Sequence, residues 1–257
     1  MGVTDLAEEA ALAARLVVDA GRLAARMRAE GLSTQRKTSV SDIVTTADRA
    51  AEQLITERLA VERPDDAVVG EEGTDQPGTS GRSWVIDPVD GTWNFVRGLT
   101  WWCSALALRG PDDVLVGAVY HPHDDAVFVG GPSLPSTCNG APLPQLLDRP
   151  LAESCASTYL HPPFFAGAVG SAFVRAVSGA ATLRMLGSGT MDQMAVAQGQ
   201  MDVLFQHTVP AWDWHPGSAI VRGVGGVARR TTAGGVEWSV SGVPTAVAEV
   251  CAALETE

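Results

Sequence analysis

The chain lacks a cysteine framework. Its four cysteines, Cys103, Cys138, Cys155 and Cys251, are scattered and form no CxxC. That argues against a disulfide scaffold, a zinc site or an iron–sulfur site, and it fits free thiols in a reducing compartment. No apolar run reaches the ~18 residues that read as a membrane helix. Basic residues are scarce: 18 Lys and Arg against 30 Asp and Glu leave a formal net charge of −12. This is the wrong sign for a surface that tracks a nucleic-acid polymer, but it suits divalent cations. The start carries Asp5, Glu8 and Glu9 where a secretory leader is basic, so a cytoplasmic protein is expected. There is no internal repeat and no long linker. What is present, 257 residues with 46% hydrophobic and 19% charged, suffices for one large domain or two intimate subdomains.

Periodicity predicts a helix over 4–30, with Leu12, Leu16, Leu23 and Met27 on one face and Gly31 at its end. A second helix is predicted over 46–59, with Pro64 beyond it. Ala67-Val68-Val69-Gly70 reads as a short strand, and further strands are expected at 83–87, 103–109, 114–120 and 126–129. The last three form an antiparallel meander turning at Gly110-Pro111-Asp112-Asp113. Residues 73–81 read as a mobile loop and 132–150 as loop-rich. Beyond them, strands near 154–159, 182–186 and 201–205 alternate with helices near 190–198, 212–223 and 244–254. The division is one domain over 1–257, with subdomains 1–150 (an antiparallel sheet and the acidic motifs) and 151–257 (a smaller α/β part).

Acidic residues recur where strands end or helices begin: Asp42 to Asp48 (DIVTTAD), Gly70-Glu71-Glu72, Asp87 to Thr92 (DPVDGT) and Trp212-Asp213. Each alone has a plain reading. Asp48 fits a surface acid, Glu71 and Glu72 fit a loop, and Asp213 fits a helix N-cap. As a set they fit hard cations, which take oxygen ligands from a few carboxylates, water and phosphate. Two cations about 4 Å apart need a bridging carboxylate and at least two others. Pro88 fixes the backbone so that Asp87, Asp90 and the Val89 carbonyl face one side. Gly91 and Thr92 then offer backbone N–H groups suited to a phosphate.

DIVTTAD, GEE, WVIDPVDGTWNF and WD…GG resemble, in order and spacing, the motifs of the inositol monophosphatase family, over about residues 5–250. The resemblance implies a layered αβαβα sandwich of the inositol monophosphatase and fructose-1,6-bisphosphatase type. It also implies a usually dimeric, lithium-sensitive phosphatase with two or three Mg²⁺ ions per site. Glu71, Asp87 and the Val89 carbonyl would hold the first ion, and Asp87, Asp90 and Asp213 the second. Gly91 and Thr92 would bind phosphate. Thr92, leaning on Asp48, would position the attacking water, with Glu71 among the catalytic groups. Asp42 and Thr45 resemble the support of that pair, and the resemblance would put Lys37 near the phosphate on a mobile loop. Asp90, Gly189, Thr190 and Gln206 match positions that touch the substrate alcohol. The implied partner is a small phosphorylated metabolite: inositol 1-phosphate first, then histidinol phosphate, 3′-phosphoadenosine 5′-phosphate and fructose bisphosphate. A phosphatase-like binding protein without catalysis is the reading of another class.

The chain departs from the family in two places. Gln206 stands where most members have a glutamate, which removes a charge-assisted bond to substrate hydroxyls. After Asp213, His215 and Pro216 replace small residues, and Gly223 replaces an acid. His215 reads as a substrate contact, a more remote buffer or a surface residue, and Pro216 as tolerated in a first helical turn. His121-Pro122-His123 reads as a turn. Trp93, Trp101 and Trp102 fit a pocket lining, a dimer face or core packing.

Overall fold

The computed structural model describes residues 3–31, 34–36 and 43–256. Its elements begin with α1 (Val3–Glu30), β1 (Thr34–Arg36), β2 (Ile43–Thr45), α2 (Thr46–Glu62), β3 (Ala67–Gly70), β4 (Asp75–Gln76), β5 (Ser83–Asp90) and α3 (Thr92–Arg97). A run of strands follows: β6 (Cys103–Arg109), β7 (Val114–His121), β8 (Ala126–Gly131), β9 (Leu134–Cys138) and β10 (Ala141–Pro142). The second half contains β11 (Cys155–Tyr159), α4 (Gly167–Ser178), β12 (Thr182–Arg184), α5 (Gly189–Ala197), β13 (Val203–His207), α6 (Ala211–Gly223), β14 (Val227–Ala233), β15 (Val236–Gly242) and α7 (Pro244–Glu255).

These elements stack in five layers. An eight-stranded sheet runs β10-β9-β8-β7-β6-β5-β3-β4, and a five-stranded sheet runs β12-β11-β13-β15-β14. Helices α1 and α2 cover one face of the large sheet through Leu12, Leu16, Ile55 and Leu59, packed on Trp84, Ile86, Leu106 and Leu108. Helices α5 and α6 fill the space between the sheets with Met191, Met194, Ile220 and Val221. Helices α4 and α7 close the far side over Phe205, Trp238 and Val240. This is the expected αβαβα sandwich.

The large sheet is not wholly antiparallel. β3 and β5 pair parallel, in register Gly70 with Ile86. The 132–150 stretch is also more ordered than its composition suggests. It holds β9, where Pro135 lies one strand in from the sheet edge next to a register shift, a position that tolerates a missing N–H. The 73–81 loop is pinned: Ser80 Oγ donates to Asp66 (2.6 Å), and the Thr79 and Ser80 amides donate to the Asp65 carbonyl. Helix α4 and the β14–β15 hairpin complete the second half.

Helix α6 lies close against β7 because Gly117 has no side chain. A Cβ there would sit 2.1 Å from the Pro216 carbonyl oxygen and 3.0 Å from Ala219 Cβ. Backbone meets backbone, so no side chain can swing aside. Gly117→Ala is expected to destabilise the fold by about 3 kcal/mol, the upper end for overpacking. The loss is read from the urea midpoint, and an unchanged midpoint would mean that α6 can slide. Pro216 itself is the sixth residue of α6 rather than a first-turn residue, and it has no N–H to give the Trp212 carbonyl.

Candidate active site

The site is assembled by register. Because β3 and β5 run parallel, the residues that follow Gly70 and Ile86 emerge side by side. The Glu71 amide donates to the Ile86 carbonyl (3.2 Å), which brings Glu71 to Asp87. The turn after β3 is held by Glu52 of α2, whose carboxylate accepts from the Glu72 amide (2.8 Å) and the Thr74 amide (3.0 Å). Glycine at position 70 leaves room for that carboxylate: a Cβ would meet it at 2.3–2.6 Å and push Glu52 off the turn.

β5 does not stop at Asp87 but continues to Asp90. Asp87 pairs with Ala105 and Asp90 with Cys103, so one strand holds an extra residue and bulges. Pro88 sits in that bulge, and its carbonyl accepts from Ser104 Oγ (2.6 Å). The Val89 amide donates to Asp87 Oδ1 (3.1 Å). The bulge turns Asp87 and Asp90 toward a common region while both stay buried.

Burial pushes the Asp87 carboxyl well above its usual range, and Glu71, Asp90 and Asp213 push it further. A side-chain hydrogen bond links Asp87 to Asp213, which lies in the first turn of α6. The N-cap of α6 is Pro210, so Asp213 is not the cap. Asp90 is also raised by burial, partly offset by donors from α5: Ser188 Oγ and the Thr190 amide both reach its Oδ2, each at 2.7 Å. Cys103, paired with Asp90, has its thiol pushed up by burial and by these same carboxylates.

Asp48 is fully buried rather than a surface acid. Thr45 and Asp48 form the capping box of α2: Asp48 Oδ2 accepts from the Thr45 amide (3.0 Å) and from Thr45 Oγ1, while Thr45 Oγ1 accepts from the Ala47 amide (3.1 Å). The other oxygen, Asp48 Oδ1, faces Thr92 Oγ1 at 3.3 Å, and Thr92 Oγ1 also reaches the Val89 carbonyl at 3.0 Å. One hydroxyl proton serves one acceptor at a time, which leaves Thr92 a lone pair for a water. Gly91 precedes α3 in the left-handed conformation (φ 87°).

Gln206, at the end of β13, contacts Gly189: its Oε1 would lie 2.9 Å from a Cβ there. Thr190 is buried, and its hydroxyl donates to the Asp213 carbonyl (3.3 Å). Gly189, Thr190, Gln206 and Asp213 therefore meet beside Asp90. His215 is pushed down to about 4 by burial and then by Arg109 and Arg230, so it is neutral at pH 7. Lys37 and Asp42 lie outside the described residues. His121 ends β7 with Nε2 bonded to the Thr100 carbonyl (2.8 Å), and the chain turns beyond it. Trp102 is core, edge-on to Phe95 at 4.6 Å, while Trp93 is 44% exposed.

The groups that sequence reasoning missed are Glu52, Ser188 and the pair Trp101 and Asp192. Trp101 Nε1 donates to Asp192 Oδ1 (2.8 Å), and Ser157 Oγ donates to Oδ2. Burial pushes Asp192 up to about 7.

Among the described residues no three or more His, Cys, Asp or Glu side chains stand as a ready-made ion cage. The fit to a cation rests instead on charge and donor type. The charges that raise buried Asp87 most are the carboxylates of Glu71, Asp90 and Asp213, and a self-repelling set of hard oxygen donors is relieved by a divalent cation.

The family model for inositol monophosphatases matches residues 4–255. An inositol-1-monophosphatase of Rhizobium meliloti is 31% identical over 199 residues, 76% of this chain and 74% of that protein. The Nus factor SuhB of Pasteurella multocida is 33% identical over 226 residues, 84% and 82% of the two chains. Among solved structures, the Thermotoga maritima IMPase superposes with TM-score 0.80 at 26% identity, over 94% of this chain and 96% of that one. The SuhB protein of Bartonella henselae has the same fold, at TM-score 0.84 over 99% and 98%. The chain belongs to the inositol monophosphatase family, a family of Mg²⁺-dependent phosphomonoesterases.

Proposed function

We propose that this chain hydrolyses a small alcohol or polyol phosphate, inositol 1-phosphate foremost, in a Mg²⁺-dependent reaction with water as nucleophile. The observation that carries this reading is the convergence of Glu71, Asp87, Asp90 and Asp213 beside the Asp48–Thr92 pair. Glu71, Asp87 and the Val89 carbonyl would hold one cation, and Asp87, Asp90 and Asp213 another. Bound cations supply charge neutralisation of the phosphoryl group and make ionisation of a water easier. The chain's own residues do the rest. Thr92 Oγ1, with Asp48 behind it, orients the water and takes up its proton through the buried carboxylate. The Thr92 amide holds a phosphoryl oxygen in line, and the Gly91 amide, which bonds the Asp90 carboxylate in this structure, joins it once Asp90 turns to a cation. Gln206 and Gly189 receive the alcohol, and Thr190 stays buried behind them, holding Asp90 and the Asp213 carbonyl. Gln206 both donates and accepts, so it reads hydroxyls without a charge.

A second reading follows from the relatives named Nus factor SuhB, of which one is 33% identical: a binding role in which catalysis is dispensable. The intact acidic set favours the enzyme. The deciding experiment is phosphate release by purified protein with Mg²⁺, with and without Li⁺. The panel is inositol 1-phosphate, histidinol phosphate, 3′-phosphoadenosine 5′-phosphate and fructose 1,6-bisphosphate. One ester is expected to lead by kcat/KM and to be inhibited by Li⁺. Silence on the whole panel, with Mg²⁺ still bound, would favour the binding role.

A further inference from the structure

Asp90 is held by α5, and α5 is held in turn by a buried acid. Ser188 Oγ and the Thr190 amide, at the start of α5, occupy Asp90 Oδ2. One turn later on the same helix face, Asp192 is fully buried. It accepts from Ser157 Oγ of β11 and from Trp101 Nε1. Trp101 lies between α3 and β6, and its carbonyl accepts from Asn94 Nδ2 (2.8 Å). Asn94 Nδ2 also donates to the Leu186 carbonyl (2.7 Å), just before α5. A Cβ on Gly91 would lie 3.1 Å from the Trp101 carbonyl oxygen and 3.0 Å from Ser188 Cβ. The bonds therefore close a ring: α5, Asp192, Trp101, Asn94, Leu186 and back to α5. Asp90, Gly91 and Thr92 lie along one side of it.

We propose that Asp192 is a positioning residue which, through Trp101, fixes the start of α5 against Asp90 and so sets the cation affinity of the site. An aspartate suits this place because Oδ1 accepts from the Trp101 N–H while Oδ2 meets the Ser157 hydroxyl, as acceptor when ionised and as donor when protonated. An asparagine can do nearly the same. Its Oδ1 accepts from Trp101 and its amide turns to Ser157, whose hydroxyl can accept instead. A leucine can do neither. Groups that orient a ligand from behind commonly alter metal affinity 10–100-fold. The inference rests on the reading of Asp90 as a cation ligand.

The test is titration of the purified protein with Mg²⁺ alone, by calorimetry, together with kcat and KM on the preferred ester. The variants are Trp101→Phe, Asp192→Asn, Asp192→Leu and the double variant Trp101→Phe with Asp192→Leu. Trp101→Phe keeps an aromatic ring and loses the N–H donor with part of the indole, at a half-buried position, so its fold is the safest. Its Mg²⁺ dissociation constant is expected to rise about tenfold, with kcat reduced more than KM is raised. Asp192→Asn is expected to stay near the wild type. The double variant is expected to be no worse than the worse single one, since both break one link. Normal Mg²⁺ affinity and kcat in Trp101→Phe, beside normal wild-type binding, would overturn the positioning role alone. A wild-type protein that takes up no Mg²⁺ would overturn the reading of the acidic set, and this one with it. If Asp192→Leu does not fold, Trp101→Phe decides the matter.

Discussion

Asp87→Asn is expected to lower turnover by roughly 10³-fold while making the cation-free protein more stable at neutral pH. The first effect follows from position. In the proposed site Asp87 is the carboxylate shared by the two cations, and losing about 4 kcal/mol of transition-state stabilisation gives that factor. The second follows from burial. The Asp87 carboxyl is raised first by desolvation and then by Glu71, Asp90 and Asp213. Between the unfolded value near 3.8 and its raised folded value, the folded state holds more proton than the unfolded state. Stability therefore falls as pH rises through that window. Asparagine carries no charge and escapes the loss, and its oxygen can still accept from the Val89 amide. Melting curves in chelator at pH 5 and pH 8 should show the wild type losing more than the variant. With Mg²⁺ the order should reverse, because a ligand that binds only the folded state raises its stability. A variant with near-normal turnover, or one that melts below the wild type in chelator at pH 8, would sink the assignment of Asp87.

The sequence revealed the acids but not what brings them together. DPVDGT identifies Asp87 and Asp90 by local chemistry, because Pro88 and Gly91 restrict the backbone around them. That Glu71 reaches Asp87 depends on β3 pairing parallel to β5, and pairing direction is a long-range property that neither strand encodes alone. Asp48 shows the opposite limit. Thr45 and Asp48 stand three apart before a helix, a capping pattern visible in the sequence, yet the fold uses only one Asp48 oxygen for the cap and turns the other toward Thr92. Ser188, Asp192 and the pairing of Trp101 with Asp192 were illegible because the partners stand 98 and 91 residues apart. Among the elements, α4 carries Val169, Ala172, Phe173 and Ala176 at helical spacing, but Gly167 and Gly170 weaken the pattern. β9 was hidden by Pro135, which reads as a loop residue until the sheet supplies a position where its missing N–H is tolerated.

Gly91→Ala is the second large expected effect, and it has a built-in control. Gly91 and Gly98 flank α3, both left-handed, at φ 87° and 84°. Alanine at either should cost about 1–2 kcal/mol from backbone strain alone. Their surroundings differ. A Cβ at Gly98 would meet only Arg28 Nη2, at 4.0 Å. A Cβ at Gly91 would press on Ser188 Cβ at 3.0 Å, the Trp101 carbonyl oxygen at 3.1 Å and the Gly187 carbonyl oxygen at 3.3 Å. Two of those three atoms are backbone and cannot swing away. The turn would have to move off the start of α5, the part of the molecule that holds Asp90, and it would carry the Gly91 and Thr92 amides with it. Gly91→Ala should therefore lose roughly 10²-fold in kcat/KM, whereas Gly98→Ala should lose only the stability that its left-handed backbone costs and keep its activity. Paired urea midpoints and kcat/KM values separate the two effects. If both variants lose activity equally, Gly91 matters only for chain conformation, and the phosphate would have to be held elsewhere than in the turn that opens α3.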